Sequence, residues 1–244
     1  MTTPDAAGRP PTDRDRCFEV LSDASRRTLA RLVVDESPAG IEKRELASRF
    51  AAVTNDIEPD DVTDDQFQRA LLECHHYGVP ALVDAGLVTV ADDGTVRATD
   101  HWAYDEAGFA ATIAGRTNHS AEELDVLFEA LADARRRMTL SILTKRYRPT
   151  TVRSLAHEVA SLESSAAHQN DSETHVERVH TALTHVHVPT LSAAGLVEYD
   201  ADADRVSFAG HPVLDVAWLE PDSSSGDSHG HWRSVLRGRP RRRR

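Results

Sequence analysis

Arg178, Thr181, Thr184 and His185 stand close together in one stretch of the chain. Arginine offers a planar fork of donors, threonine a hydroxyl that donates and accepts, and imidazole a ring that does either. Carried on one helix, these groups hydrogen-bond base edges in a groove or the phosphates beside it. His175 belongs to the same run, and Arg205 adds a cation further on. An earlier stretch holds a thinner set, Gln66, Arg69 and Arg97, with Gln68 and His76 nearby. Asp64, Asp65 and Glu73 interleave with it and would repel phosphate. The chain ends on Arg237, Gly238, Arg239, Pro240 and Arg241, followed by three more arginines.

The histidines raise metal binding as another chemistry. His180 lies five residues before His185, and His187 two residues after it, so one straight helix does not bring the rings together. No cysteine is near them, unlike the usual mixed ligand sets. No nucleophile with its base, glycine-rich phosphate loop or paired carboxylates stand out. The chain is therefore not expected to be an enzyme or to carry a cofactor.

The two sets occupy matching places because the chain repeats itself. Phe18-Glu19-Val20-Leu21-Ser22-Asp23-Ala24-Ser25-Arg26-Arg27 returns 110 positions later as Phe128-Glu129-Ala130-Leu131-Ala132-Asp133-Ala134-Arg135-Arg136-Arg137. Val79-Pro80-Ala81-Leu82-Val83-Asp84-Ala85-Gly86-Leu87-Val88 returns 109 positions later from Val188 to Val197. The period is too long for a solenoid, which repeats every ~20–50 residues. Each copy is long enough to hold a small core of its own.

Hydrophobic spacing predicts a helix over 15–35, a short helix over 42–53, and a longer one from Phe67 to Gly86 with a kink or break near Val79, before Pro80. Leu87 to Ala98, turning at Asp93-Gly94, reads as a hairpin. The second copy predicts helices over 121–146, 151–164 and 174–194 and a hairpin from Leu196 to Phe208. The boundaries are a disordered arm at 1–14, a first domain at 15–99, a connecting segment at 100–120, a second domain at 121–219 and a disordered tail with a basic end at 220–244. Trp102, Tyr104, Phe109 and Ile113 make the connection too apolar for a bare linker. The fold class is mainly α with small β-hairpins (α+β), as a tandem duplication.

Helix, short helix, longer helix and hairpin is the order of a winged helix-turn-helix. The Leu-x-Asp-x-x-Arg-Arg of each copy resembles a motif of bacterial and archaeal regulators related to the arsenical-resistance repressors. The Leu-x-x-Ala-Gly-Leu-Val entering each hairpin resembles the end of their recognition helix. His185 to Asp200 is similar to a haloarchaeal winged-helix family of unknown function, often found in tandem. The first copy departs from it, with Gly78 in place of the second His and Thr89-Val90 in place of Glu-Tyr. In such domains the third helix enters the major groove and the wing touches phosphate or the minor groove. That implies DNA as partner for Arg178, Thr181, Thr184, His185 and Arg205 in one copy and Gln66, Arg69 and Arg97 in the other. The Arg237–Arg241 run resembles an AT-hook, whose extended Arg-Gly-Arg-Pro core lies in a narrow minor groove.

The expected function is a DNA-binding transcription regulator in which two winged helices act as an intramolecular pseudo-dimer. One alternative is a protein-interaction module, with protein partners or self-association; another is a metal- or ligand-responsive sensor. Net charge is −12, and lysine occurs only at Lys43 and Lys145. Such a surface suits a salt-rich cytoplasm, where the Debye length shrinks to roughly 3 Å near 1 M and self-repulsion costs little. No apolar run is long enough for a membrane span, the first residues lack an apolar signal core, and Cys17 and Cys74 read as buried free thiols. These features point to the cytoplasm.

Overall fold

The computed structural model describes residues 12–167, 173–212, 214 and 216–219. They form two compact units, each built on one copy of a winged helix-turn-helix. The first unit comprises residues 20–122, and the second comprises residues 12–19 together with 123–219.

The described chain opens with α1 (Asp13–Leu21), which takes in the last two residues of the arm expected at 1–14; residues 1–11 of that arm and the tail expected at 220–244 lie outside the described residues. The single helix expected over 15–35 is two helices. Asp23 takes an extended backbone, φ −108° and ψ 124°, and its carboxylate accepts the Arg26 N–H, which starts α2 (Ala24–Asp35). An aspartate N-cap satisfies an end donor of the new helix and so favours a break over continuation. Next come β1 (Ile41–Glu42) and α3 (Lys43–Asn55). A short 3-10 turn then leads to α4 (Asp64–Glu73) and α5 (Val79–Asp84), joined without interruption through Cys74–Gly78. The hairpin is β2 (Val88–Val90) and β3 (Thr95–Ala98). Gly86, at φ +74°, closes the third helix in the left-handed conformation that favours glycine.

The sheet has three strands, in the order β1-β3-β2, all antiparallel. Val96 of β3 lies opposite Ile41 on one side and Val90 on the other, and is fully buried. Leu29, Val33, Leu46, Phe50, Leu82 and Leu87 complete the core. The connecting segment folds as α6 (Trp102–Asp105) and α7 (Ala107–Ile113), which packs on α2 through buried Phe109 and Ile113.

The second copy repeats the plan. The helix expected over 121–146 divides into α8 (Ala121–Leu131) and α9 (Ala134–Leu143), because Asp133 caps Arg136 as Asp23 caps Arg26. There follow β4 (Thr150–Thr151), α10 (Val152–Ala167), α11 (Glu173–Ala182), α12 (Val188–Ala193), β5 (Val197–Asp200) and β6 (Arg205–Phe208). The strand order β4-β6-β5 matches the first sheet. The core of this unit includes α1. Phe18 lies 5.8 Å from Phe128 and 6.5 Å from Trp218, ring centre to ring centre. The Arg137 guanidinium sits over the Phe18 ring and 2.7 Å from the Asp15 carboxylate. No helix among the described residues is long and apolar enough to cross a membrane.

Candidate nucleic-acid interface

The third helix of each copy changes its winding at the same place. At Cys74–Gly78 and at Leu183–His187 the helix widens into a single π turn, in which Val79 N–H reaches the Cys74 carbonyl and Val188 N–H the Leu183 carbonyl. Each widened turn directly precedes a proline, Pro80 or Pro189. Proline lacks the N–H and its ring crowds the preceding turn, and a π bulge relieves that crowding without ending the helix. The expected break near Val79 is thus a bulge, and it leaves His75, His76 and Tyr77 exposed in one copy and His185 and Val186 in the other.

In the second copy the outer face of α11 carries Arg178 and Thr181, both exposed, with half-buried Thr184 in the widened turn beside His185. The Thr181 hydroxyl donates to the Glu177 carbonyl and the Thr184 hydroxyl to the His180 carbonyl, each at 2.9 Å. Their protons are taken, and the oxygens remain as acceptors. Arg178 makes no ion pair among the described residues. Its acidic neighbour Glu177 is held by Arg153, at 2.8 Å, from the start of α10. The hydrogen bond from Arg153 holds the Glu177 carboxyl below the usual carboxylate range. This face therefore offers one unpaired guanidinium beside an acid that is already neutralised. Arg205 is exposed on β6, opposite Asp200, at a wing whose tip also carries Asp202 and Asp204.

The first copy is different. Gln66 does not project as a reading residue. Its amide oxygen accepts from the Thr63 N–H at 2.9 Å and the Thr63 hydroxyl at 2.8 Å, closing a reciprocal cap on α4. A capping role explains a Gln three residues after a Thr as well as base contact does. Arg69 is exposed but bends back to the Asp65 carbonyl. Arg97 is half-buried in the wing strand, opposite Thr89. At the wing tip the Thr95 N–H, and to a lesser degree Arg97, hold the Asp93 carboxyl below the usual range. Leu72 and Tyr77, 56% and 64% exposed, stand on the same helix as Asp64, Asp65, Glu73 and Asp84. Arg69, His75 and His76 are exposed on the same helix. Arg237, Gly238, Arg239, Pro240 and Arg241 lie outside the described residues.

Three features lie outside the residues expected to read DNA, and one of them, a structural role for one arginine of each pair after Asp23 and Asp133, was expected from the sequence. Arg44 and Arg153 occupy the same place at the start of α3 and α10. Arg44 stacks over Phe67, 5.1 Å from its centre, whereas Arg153 pairs with Glu177. The repeat offset was the signal that could have found them. The paired arginines after Asp23 and Asp133 have structural anchors: Arg27 donates to the Leu21 carbonyl and Arg137 to the Leu131 carbonyl, each at 2.7 Å.

The third feature is a buried polar group behind the third helix of the second copy. Arg135 forms a two-pronged ion pair with Glu163 at 2.8 and 2.9 Å, and His175 lies 3.2 Å from the same carboxylate. His187, 1% exposed, sits 3.8 Å from Asp133, beyond hydrogen-bond reach, and its burial pushes the imidazole pKa down. The first copy has Ser25, Thr54, Gln66 and Gly78 at the places of Arg135, Glu163, His175 and His187. A Cβ on Gly78 would stand 2.2 Å from Leu29 Cδ1, and the place of Leu29 is Thr139 in the second copy. Leucine with glycine, or threonine with histidine, fills the same space behind the bulge. Among the described residues, no three His, Cys, Asp or Glu side chains are grouped to hold a metal ion.

A family model described as a domain of unknown function, DUF7344, matches residues 18–97 and again residues 128–207. The chain belongs to this family. Its two matches start at Phe18 and Phe128 and end in the wing strands, so a DUF7344 domain runs from first helix through β3 or β6 and leaves α6 and α7 outside. No curated protein and no solved structure matches the chain.

Proposed function

We propose that this tandem DUF7344 protein is a DNA-binding transcription regulator whose second copy reads sequence. The observation carrying the reading is the outer face of α11 and its widened turn: Arg178 unpaired, Thr181 and Thr184 offering acceptors, and Glu177 neutralised by Arg153. Arg178 supplies the bidentate donor for a guanine edge in the major groove. Arg153, at the start of the preceding helix, and Arg205, on the wing, supply phosphate contacts that fix register. Phe18 and Phe128 hold the same place in the two copies and share one core. The acidic, lysine-poor composition fits a haloarchaeal cytoplasm, where dense salt weakens phosphate attraction and leaves base contacts to carry recognition.

A specific observation favours a second role for the first copy. Leu72 and Tyr77 are exposed on its third helix, which also carries Asp64, Asp65 and Glu73, a composition suited to a protein partner. The test is recovery of genomic DNA fragments with the tagged full-length protein at native KCl concentration. One enriched motif, lost in Arg178→Ala, supports regulation through the second copy. No enriched DNA, with proteins recovered instead, overturns it in favour of the interaction module.

A further inference from the structure

We propose that the first unit binds a small amphipathic carboxylate in a cleft between α2, the end of β3 and α7, a role separate from DNA reading. The cleft has a volume of about 190 Å³. That exceeds the roughly 150 Å³ of an apolar cavity able to take up benzene. Its floor is apolar, built from Val34, Ala98, Tyr104, Ala110 and Ile113. The Tyr104 hydroxyl is engaged with the Leu87 carbonyl at 2.9 Å, so the ring is what remains to line the space.

The charge at this cleft selects the ligand. Arg31 and Arg116 line it, and neither side chain makes a hydrogen bond or ion pair among the described residues. Arg31 stands one helical turn before Asp35 without pairing to it. It is half-buried, and its Nη1 lies 3.3 Å from where a Cβ on Gly115 would be, so the bare glycine after α7 leaves room for the guanidinium. Asp35 and Asp105 also line the cleft, but both are exposed and keep their water. A ligand that covers the apolar floor removes water from the half-buried guanidinium, and only an anion restores what that cation loses. The matching positions in the second copy are Ser141 for Arg31 and Lys145 for Asp35, so the site is particular to the first copy.

The experiment is calorimetric titration of the full-length protein at native KCl with hexanoate and benzoate, and with 1-hexanol, benzyl alcohol and hexylamine as matched probes. Both carboxylates should bind, about tenfold or more tighter than the alcohols, as a charge-assisted hydrogen bond implies. Arg31→Gln with Arg116→Gln should remove that advantage and leave alcohol binding unchanged. Ala110→Phe should abolish all binding by filling the floor. Ala114→Leu does the same from the neighbouring turn if Ala110→Phe does not fold by circular dichroism. Absence of carboxylate binding, equal affinity for acids and alcohols, tighter binding of hexylamine, or binding that survives a folded filling variant each overturns the proposal.

Discussion

Arg178 and Arg153 separate two kinds of contact in the proposed interface. An arginine that reads a base edge discriminates between sequences, whereas one that meets phosphate strengthens binding to all of them. Arg178→Ala should cost about 1–3 kcal/mol on the preferred site and little on unrelated DNA. Arg153→Ala should weaken both alike and reduce the slope of log affinity against log salt by about one. It also releases Glu177, which lies beside Arg178 and would then repel the backbone. Anisotropy titrations over a KCl series distinguish the two, and equal loss on all sequences for Arg178→Ala would reduce that residue to a phosphate contact. At this scale the sequence was legible where a side chain was free and misleading where it was employed locally. Arg178 and Thr181 are exposed, as the outer face of the third helix implied. The Gln66 amide oxygen is engaged, because the same polar group that suits a base also suits the end of its own helix.

At the scale of elements, the helices joined in the sequence reading were separated by caps. Hydrophobic period runs smoothly through Leu21 to Leu29, so nothing in it marks the break. The Asp23 and Asp133 side chains do, through the N–H groups that they accept. Strands β1 and β4 are two residues each, too short for alternation to register, and exist only because β3 and β6 offer a free edge. The third helix and the hairpin were legible because proline, glycine and the Asp-Gly turn punctuate them. The polar group between α9, α10 and α11 was hidden, since its members are far apart in sequence. Removing one partner leaves a buried charge, so Glu163→Ala should destabilise the second unit by about 3–5 kcal/mol, read by denaturant unfolding. An effect under 1 kcal/mol would show that water reaches Arg135 readily.

His187 gives the same element a pH dependence. Burial lowers its folded pKa below the ordinary histidine value of 6.5 despite Asp133 and Glu163, while Arg135 and Arg136 add to the lowering. The unfolded chain then binds the proton more readily, so the stability associated with neutral His187 is full above about pH 6.5 and is lost as pH falls towards the folded value. His187→Leu should flatten the part of the stability profile below pH 6.5, measured by thermal unfolding in parallel with the parent chain. A profile unchanged by the substitution would assign that dependence to other groups.

At the scale of the whole chain, the repeat implies two halves that each hold a complete domain, and one helix breaks that correspondence. Most of α1 comes from the first copy yet lies in the second unit, with Phe18 against Phe128 and Trp218 and with Asp15 beside Arg137. The duplicated sequence shows two equivalent first helices but not which core each enters, because both carry the same Phe at the same place. A fragment of residues 121–219 therefore exposes Phe128 and Trp218 and leaves buried Arg137 without Asp15. Loss of an aromatic anchor costs about 3–5 kcal/mol, a large share of the ~5–15 kcal/mol that holds a domain folded. In concentrated KCl this fragment should show less helix by circular dichroism, or a lower unfolding midpoint, than the intact chain. A peptide of residues 12–22 added in trans should restore part of the difference, and a peptide with Phe18→Ala should not. The residue 20–122 fragment keeps α2 to α7 and should fold without addition. If 121–219 proves as stable alone as within the chain, α1 contributes little to that core.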